Sequence, residues 1–368
     1  MMRYFLGLLI SIILVTACAR KETIDGWPCF KGNPARTCLA TGEGIKGKPQ
    51  NLWRFSMPFS IISSPIVFNN ILYCGTDSGL IALEAKTGKQ IFFFKTGAQV
   101  FSTPAADSIA VYFGSWDRNF YAVNRLNGAQ IWSLTDSGAF DSSPLIDGDL
   151  IYLCNWSGII YALEKKSGSI RWVYPTFGVI IGSPAIYGEN LYVGSGDQFL
   201  YCLNKSTGKL VWRFRAAGDI PSTPAIAELE GGLRVFFGSH DSTVYCLNAN
   251  DGQLIWYYRT HSPNFSSPAV ADGRLFFGTV SGKMICLDAI NGILLWEFDT
   301  NSEVYSSPAI AKDKIYFATF GRLFLVLKAE DGTLESSVAL PGPSDSSPAI
   351  CGQMLFFGDR AGFIYAFR

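Results

Sequence analysis

Hydrophobic and polar positions alternate along this chain in short blocks that repeat about every 40 residues. Each block contains four apolar runs separated by turn residues, as in Leu275–Gly278 and Met284–Leu287 around Val280-Ser281-Gly282. Apolar runs without clean polar alternation are typical of strands that are covered on both faces. A Ser/Thr-Pro pair opens every block, with prolines 39 to 44 residues apart: Pro65, Pro104, Pro144, Pro184, Pro224, Pro268, Pro308 and Pro348. Four short strands repeated eight times predict an all-β, eight-bladed β-propeller.

The two ends of the repeat region predict how the ring closes. The eighth block ends at Arg368 after three strands, whereas Leu52–Phe55 has the pattern of a fourth strand with no first three. We expect this N-terminal strand to complete the last blade, because a closed ring leaves no unpaired edge. The predicted propeller spans residues 51–368. Tryptophans four residues after a turn glycine are expected to pack between blades: Trp132, Trp172, Trp212, Trp256 and Trp296.

Composition narrows the possible chemistry. Of 368 residues, 48% are hydrophobic, and 30 Lys and Arg balance 30 Asp and Glu. That composition predicts a folded protein and argues against a nucleic-acid partner. Metal or acid–base chemistry would have only two histidines available, His240 and His261. We interpret both as turn residues and expect neither a metal nor a cofactor.

The N-terminus has the pattern of an export signal. Arg3 precedes twelve uncharged residues, Tyr4–Val15, which suit a signal-peptide core and are too few for a membrane-spanning helix. The next residues, Val15-Thr16-Ala17-Cys18, resemble the bacterial lipobox. The alternative is an ordinary signal peptide followed by a chance cysteine.

The lipobox resemblance implies a lipoprotein. Residues 1–17 would be removed, Cys18 would carry acyl chains such as palmitate, and residues 18–50 would form a lipidated tether. Three acyl chains exceed the two signals that stable membrane anchoring needs. Ala19, where lipoproteins retained in the inner membrane often have aspartate, implies the outer membrane, facing the periplasm.

Three segments resemble the repeat of pyrroloquinoline-quinone-type propellers: Ser-Ser-Pro-Ala-Val at 266–270, Thr-Gly-Lys-Leu-Val-Trp at 207–212, and the Trp-Pro to Arg-Thr segment at 27–37. This family includes both enzymes and scaffolds, so the resemblance predicts the fold better than the function. Its dehydrogenases carry an adjacent Cys-Cys pair, calcium ligands and an aspartate base. No two cysteines are adjacent in this sequence.

Asp141 and Asp345 are the nearest candidates for a catalytic pair, each three residues before a repeat proline. They belong to blades three and eight, so we expect them to face each other across the channel. Carboxylates that share chemistry lie within about 5–10 Å of each other. We therefore predict no catalytic residue.

Five of the nine cysteines fall into two groups. Cys202, Cys246 and Cys286 occupy a strand position that holds alanine in other blades, and we interpret them as buried small residues. Cys29 and Cys38 lie in one turn-rich segment with no packing position to explain them. In an exported protein, they are the candidate disulfide.

Aromatic residues on the loops of one face are the candidate protein-binding residues. The loops that join blades carry Phe101, Phe265 and Tyr305, and the hairpin loops carry Trp116 and Trp156. A contiguous apolar patch of this kind marks a docking site. The alternative is that these side chains plug the channel and have a structural role.

A lipid-anchored propeller without an active site resembles the B-lipoprotein family of the outer-membrane β-barrel assembly machinery, the BamB family. That resemblance implies a non-catalytic scaffold that binds outer-membrane assembly proteins or other periplasmic proteins. Two alternatives remain open. One is a quinone-dependent, dehydrogenase-like or small-ligand-binding propeller, and the other is a cell-surface adhesion or substrate-binding module.

Overall fold

The repeats form eight four-stranded antiparallel sheets in a ring, which confirms the predicted eight-bladed propeller. The computed structural model describes residues 26–40, 42–45 and 47–368. From the channel outwards, blades 1 to 4 contain β2 (Ile66–Phe68), β3 (Ile71–Thr76), β4 (Gly79–Glu84), β5 (Gln90–Lys95); β6 (Ala105–Ala106), β7 (Ala110–Gly114), β8 (Asn119–Asn124), β9 (Gln130–Thr135); β10 (Leu145–Asp147), β11 (Leu150–Cys154), β12 (Ile159–Glu164), β13 (Ile170–Pro175); β14 (Ala185–Tyr187), β15 (Asn190–Gly194), β16 (Phe199–Asn204), β17 (Leu210–Arg215).

Blades 5 to 8 continue the same order, and the last blade takes its outer strand from the start of the chain. Their strands are β18 (Ala225–Leu229), β19 (Gly232–Ser239), β20 (Thr243–Asn248), β21 (Leu254–Arg259); β22 (Ala269–Ala271), β23 (Arg274–Gly278), β24 (Lys283–Asp288), β25 (Leu294–Asp299); β26 (Ala309–Ala311), β27 (Lys314–Ala318), β28 (Leu323–Lys328), β29 (Leu334–Ala339); β30 (Ala349–Cys351), β31 (Met354–Gly358), β32 (Phe363–Phe367), β1 (Asn51–Ser56).

Ring closure by the N-terminal strand is confirmed. β1 pairs antiparallel with β32, and Trp53 lies opposite Ala366. The backbone pairing continues beyond both strands, because the N–H groups of Gln50 and Arg368 donate to each other's carbonyls at 2.9 and 3.0 Å. The first and last parts of the chain therefore share one blade.

Tryptophans on the outer strands lie between neighbouring blades, as the repeat predicts. The indole N–H of Trp172 in blade 3 donates to the carbonyl of Lys205, 2.9 Å away, in the outer turn of blade 4. Its ring covers Gly208, where a Cβ would come within 2.7 Å of the indole. Gly208 also has a φ of +70°, so both the turn and the ring contact require glycine. The same indole-to-carbonyl bond is formed by Trp53, Trp132, Trp212, Trp256 and Trp296.

Residues 26–40 and 42–45 enter the channel instead of extending from the ring. The innermost strand of each blade has an edge with no strand beside it, and unpaired edge groups of this kind are unfavourable when buried. The N-terminal segment supplies acceptors to that edge in six blades. Its carbonyls or backbone pairings reach Val67, Ala106, Ile186, Ile226, Val270 and Ile310.

Two cations of this segment are buried in the channel. Arg36 is fully buried and donates to the carbonyls of Pro184 at 3.0 Å, Pro144 at 3.2 Å and Phe30. Lys31 donates to the carbonyl of Pro268 at 2.5 Å, and burial lowers its pKa to about 8. Backbone carbonyls therefore stabilise both charges. Of the expected tether at 18–50, the described residues 26–40 and 42–45 lie against the propeller; Cys18 lies outside the described residues.

The predicted Cys29–Cys38 disulfide is not formed, and both thiols are free and buried. The segment between them follows the inside of the ring. Cys29 packs beside Leu145 of blade 3, and Cys38 packs beside Ala269 of blade 6. Each cysteine therefore fills its own apolar site, which the sequence spacing did not reveal. Across the described residues, we find no helix long and apolar enough to cross a membrane.

Candidate protein-binding site

Eight loops that join one blade to the next surround the mouth of the channel. Each contributes one side chain three residues before the repeat proline: Ile62, Phe101, Asp141, Ile181, Pro221, Phe265, Tyr305 and Asp345. These side chains line a cavity of about 170 Å³, and Phe30 of the channel segment also contributes to it. The mouth is thus shallow, because the N-terminal segment fills the channel beneath it.

A belt of hydroxyl groups holds these loops in register. The backbone N–H of Thr103 donates to the hydroxyl of Ser143 in the next blade at 3.1 Å, and the pattern continues around the ring. The contact that crosses the closure runs from the N–H of Ser347 to the hydroxyl of Ser64, at 2.9 Å. The second Ser or Thr of each repeat motif therefore links one blade to the next.

Hairpin loops between the second and third strands form an outer ring around this mouth. Their backbone N–H groups donate to the loops that join the blades, as Trp116 does to Gln99 at 2.8 Å and Trp156 does to Ala139 at 2.9 Å. The equivalent residues are Asp77, Trp116, Trp156, Gly196, His240, Val280, Phe320 and Arg360. The repeat thus fixes the backbone of each position and leaves the side chain variable.

Trp116 and Trp156 lie side by side on this face. Their ring centroids are 5.0 Å apart in an edge-to-face arrangement, and Phe101 lies 5.1 Å from Trp116. The two tryptophans remain 38% and 37% exposed. The structure therefore brings three of the sequence-predicted residues into one cluster that solvent can reach.

Phe265 and Tyr305 form a second group in blades 6 and 7. Their rings are 5.8 Å apart, and Tyr305 also contacts Phe320 at 5.6 Å. His240 packs against Phe265 with ring centroids 4.5 Å apart. His240 follows β19 in a hairpin turn, as expected. Aromatic side chains therefore occupy two separate parts of the mouth.

Asp141 is half-buried beside the two tryptophans. The indole N–H of Trp156 donates to its carboxylate at 3.3 Å. Burial raises the pKa of Asp141 to about 6, although hydrogen bonds from Trp156 and Trp116 partly oppose this shift. A carboxylate in this setting is poorly solvated and has no cation beside it in any ion pair of the described residues.

Asp345 lies at the equivalent position in blade 8 but has a cation. Arg360 of the hairpin loop donates to Asp345 at 2.5 Å, and its guanidinium lies 5.5 Å from the ring centroid of Phe320. The two aspartates are thus engaged by different neighbours, Trp156 for Asp141 and Arg360 for Asp345. Among the described residues, no group of three or more His, Cys, Asp or Glu could hold a metal ion.

The sequence did not reveal the roles of Phe30, Lys31 and Arg36, because the segment before the first repeat has no periodic pattern. It also did not point to Phe320 and Arg360 as neighbours of the mouth. The repeat register itself contained that signal, since both residues occupy the same hairpin position as Trp116 and Trp156.

This architecture defines a PQQ-like repeat propeller of the quinoprotein type, and solved structures of that fold are similar to it. BamB from Moraxella catarrhalis matches with a TM-score of 0.74 and 16% identity over 87% of this chain and 99% of that one. Quinohemoprotein alcohol dehydrogenase from Comamonas testosteroni matches with a TM-score of 0.81 and 13% identity over 93% and 80%. A europium-containing methanol dehydrogenase has a TM-score of 0.81 and 12% identity over 93% and 98%.

At these identities the similarity establishes the fold and leaves the activity open. The family model described as "Beta-alanine-activating enzyme, beta-propeller" matches residues 105–321, more than half of the chain. The chain belongs to that family. The comparison with curated proteins found no match.

Proposed function

We propose that this protein is a non-catalytic, lipid-anchored scaffold that binds other proteins through the face around the channel mouth. The observation that carries the proposal is the exposed cluster of Phe101, Trp116 and Trp156 on that face. Trp116 and Trp156 occupy hairpin positions that the other blades fill with aspartate, glycine, histidine, valine, phenylalanine or arginine, so the fold does not require tryptophan there. Large aromatic side chains at a protein surface are the residues that most often dominate binding energy.

The proposed process is the assembly of outer-membrane β-barrel proteins. Support comes from the lipobox-like Val15–Cys18 segment, the eight blades and the similarity in fold to BamB. The partners would be outer-membrane assembly proteins or other periplasmic proteins. The family's name refers to an enzyme that activates β-alanine, and we carry no such reaction over to this chain.

A quinone-dependent dehydrogenase is the second candidate, because solved dehydrogenases have the same fold. The residues at the mouth fit such a cofactor poorly. The cavity of about 170 Å³ is smaller than the roughly 300–1,000 Å³ of typical ligand pockets. The channel below it is filled by Arg36 and its neighbours, and the described residues offer no calcium-binding cluster. Titration with quinone and calcium separates the candidates, since a scaffold should develop no bound chromophore.

Lipidation at Cys18 is the first prediction. Mass spectrometry of the mature protein should find an acylated N-terminal cysteine, and Cys18→Ala should move the protein out of the membrane fraction, because stable attachment requires the acyl chains. Cys351→Ala is the matched control and should stay membrane-bound. A mature N-terminus at any other residue would contradict the proposed anchor.

The combined variant Trp116→Ala and Trp156→Ala tests the docking face. We expect it to fold with nearly parental stability and to lose most of its capture of partner proteins, because truncating interface hot spots costs about 2 kcal/mol or more each. Affinity capture through the full chain, followed by identification of the retained proteins, measures the effect. Circular dichroism and thermal unfolding establish that the variant is folded.

A matched control removes apolar area from the opposite face. Leu126 and Ile290 are 57% and 38% exposed in outer turns, so Leu126→Ala with Ile290→Ala should leave capture unchanged. If the tryptophan variant unfolds, the pair is structural. If it folds and retains every partner, docking occurs elsewhere, and the hollow of about 630 Å³ beside Leu39 and Tyr187 on the opposite face becomes the next candidate.

A further inference from the structure

Two pairs of neighbouring blades carry the same arrangement of side chains at the channel mouth, with one difference. In blades 7 and 8 the set is Tyr305, Phe320, Asp345 and Arg360; in blades 2 and 3 it is Phe101, Trp116, Asp141 and Trp156. Each member of one set occupies the repeat position of the corresponding member of the other. Both sets thus contain a pair of neighbouring aromatic rings followed by an aspartate, and they differ in the fourth side chain.

In blade 8 that fourth side chain is a cation. Arg360 forms an ion pair with Asp345 at 2.5 Å, and its guanidinium lies 5.5 Å from the centroid of Phe320. Phe320 in turn contacts Tyr305 at 5.6 Å. The guanidinium is therefore held by a carboxylate and an aromatic face together, the two groups to which it binds most favourably.

Blade 3 has tryptophan at the position of this arginine, although the aromatic pair and the aspartate that would contact an arginine are present. Phe101 and Trp116 form the aromatic pair, 5.1 Å apart, and Asp141 lines the cavity at the mouth. Trp156 replaces the arginine and offers Asp141 only a neutral indole N–H at 3.3 Å. A carboxylate can accept about four hydrogen bonds, so Asp141 retains capacity for a charged donor.

We propose that the site formed by Trp116, Trp156 and Asp141 receives an arginine side chain from a partner protein. The incoming guanidinium would supply the positive charge that Arg360 supplies in blade 8, and it would lie against an exposed tryptophan as Arg360 lies against Phe320. Charge complementarity favours this occupant, because the half-buried carboxylate forms no ion pair with any cation of the described residues and its neighbours are aromatic. The inference rests on the proposed protein-binding function and specifies the partner's chemistry.

A small arginine compound tests the site without the partner. The ¹H–¹⁵N indole signals of Trp116 and Trp156 in the full chain are followed during titration with N-acetyl-arginine amide. These two signals should shift, whereas those of the tryptophans between blades should not. The citrulline analogue, which has nearly the same shape and no charge, should bind at least about tenfold more weakly, which corresponds to the loss of one charge-assisted contact. The lysine analogue should also bind more weakly, because it lacks the planar fork of donors.

Two substitutions locate the binding at Asp141. Asp141→Asn should lower affinity for the arginine compound about tenfold, and the matched Asp345→Asn should change it less than twofold. Asp141→Asn is expected to fold, since burial disfavours the carboxylate and an amide avoids that cost. Trp156→Arg should also fold, because blade 8 accommodates arginine at the same position, and its internal cation should block the compound.

The outcomes separate this inference from the proposed function. Equal binding of the arginine and citrulline compounds, equal binding of the lysine compound, or unchanged binding by Asp141→Asn would each overturn the arginine site. If the arginine compound binds as expected while Trp116→Ala with Trp156→Ala retains every partner, the cation site stands and the docking face is wrong. If the tryptophan variant loses its partners while the arginine compound does not bind, the docking face stands and the arginine site is overturned.

Discussion

Arg36→Ala should lower the free energy of unfolding by about 3–5 kcal/mol, the range for truncating a large buried side chain. Arg36 is fully buried and donates to carbonyls of blades 3 and 4, at Ser143, Pro144 and Pro184, and to Phe30 of its own segment. Alanine would leave a cavity and remove the donors from several buried carbonyls, each of which costs about 1–3 kcal/mol when left unsatisfied. Urea unfolding followed by tryptophan fluorescence measures the change.

Two further substitutions separate packing from hydrogen bonding at this position. Arg36→Met keeps most of the volume, so its loss of stability should report the missing donors alone. Arg171→Ala is the surface control, because Arg171 is exposed beside Glu164 and should matter by no more than about 0.5 kcal/mol. If Arg36→Ala unfolds at the same urea concentration as the parent, the segment does not hold the channel closed in solution.

The fold was predictable because the same pattern of strand and turn residues occurs eight times in the sequence. The Ser/Thr-Pro motifs, the turn glycines and the tryptophans each recur in register, so a doubtful strand in one blade could be checked against seven others. Ring closure could be predicted because the eighth block lacks a fourth strand and the sequence before the first block contains one extra strand. A packing requirement that recurs in each blade, such as the need for glycine beneath the Trp172 ring, produces a residue pattern that repeats along the sequence.

The channel segment was not predictable for the opposite reason. The described residues 26–40 and 42–45 have no counterpart in the repeats, adopt no regular strand and contact many blades in turn. No periodicity indicates such a path, and a pair of cysteines in a turn-rich segment invites a disulfide. The structure shows instead that Cys29 and Cys38 pack in separate apolar sites. Contacts between residues more than 100 positions apart, such as those of Arg36, leave no short-range pattern.

The candidate site could be predicted from the sequence in part. The repeat predicted where Trp116 and Trp156 would be, because equivalent hairpins of consecutive blades must be neighbours. It did not indicate that Asp141 would lie against both indoles, since that contact depends on side-chain directions. In a symmetric scaffold the backbone positions are shared, so specificity arises from the side chains that break the symmetry, as Trp156 does relative to Arg360.

Removing β1 should have the other large effect on stability. A chain that begins at Asn51 lacks the channel segment and keeps β1, whereas a chain that begins at Met57 lacks both. We expect the second chain to lose at least about 4 kcal/mol beyond the first, because it exposes the edge of β32 and removes Trp53 from between blades 8 and 1. The indole N–H of Trp53 donates to the carbonyl of Ala85 at 2.9 Å, and its ring covers Gly88.

Comparison of Trp53→Ala with Trp132→Ala isolates the closure from the loss of one tryptophan. Both indoles are half-buried and form the same bond to the outer turn of the next blade, so the two substitutions should destabilise the ring by similar amounts. Trp53, however, lies on a strand from the opposite end of the chain to the rest of its blade, and deleting that strand removes its whole ladder with β32. Thermal unfolding of the two truncated chains is the measurement. If the chain from Met57 melts at the temperature of the chain from Asn51, then blade 8 is stable with three strands and β1 does not close the ring.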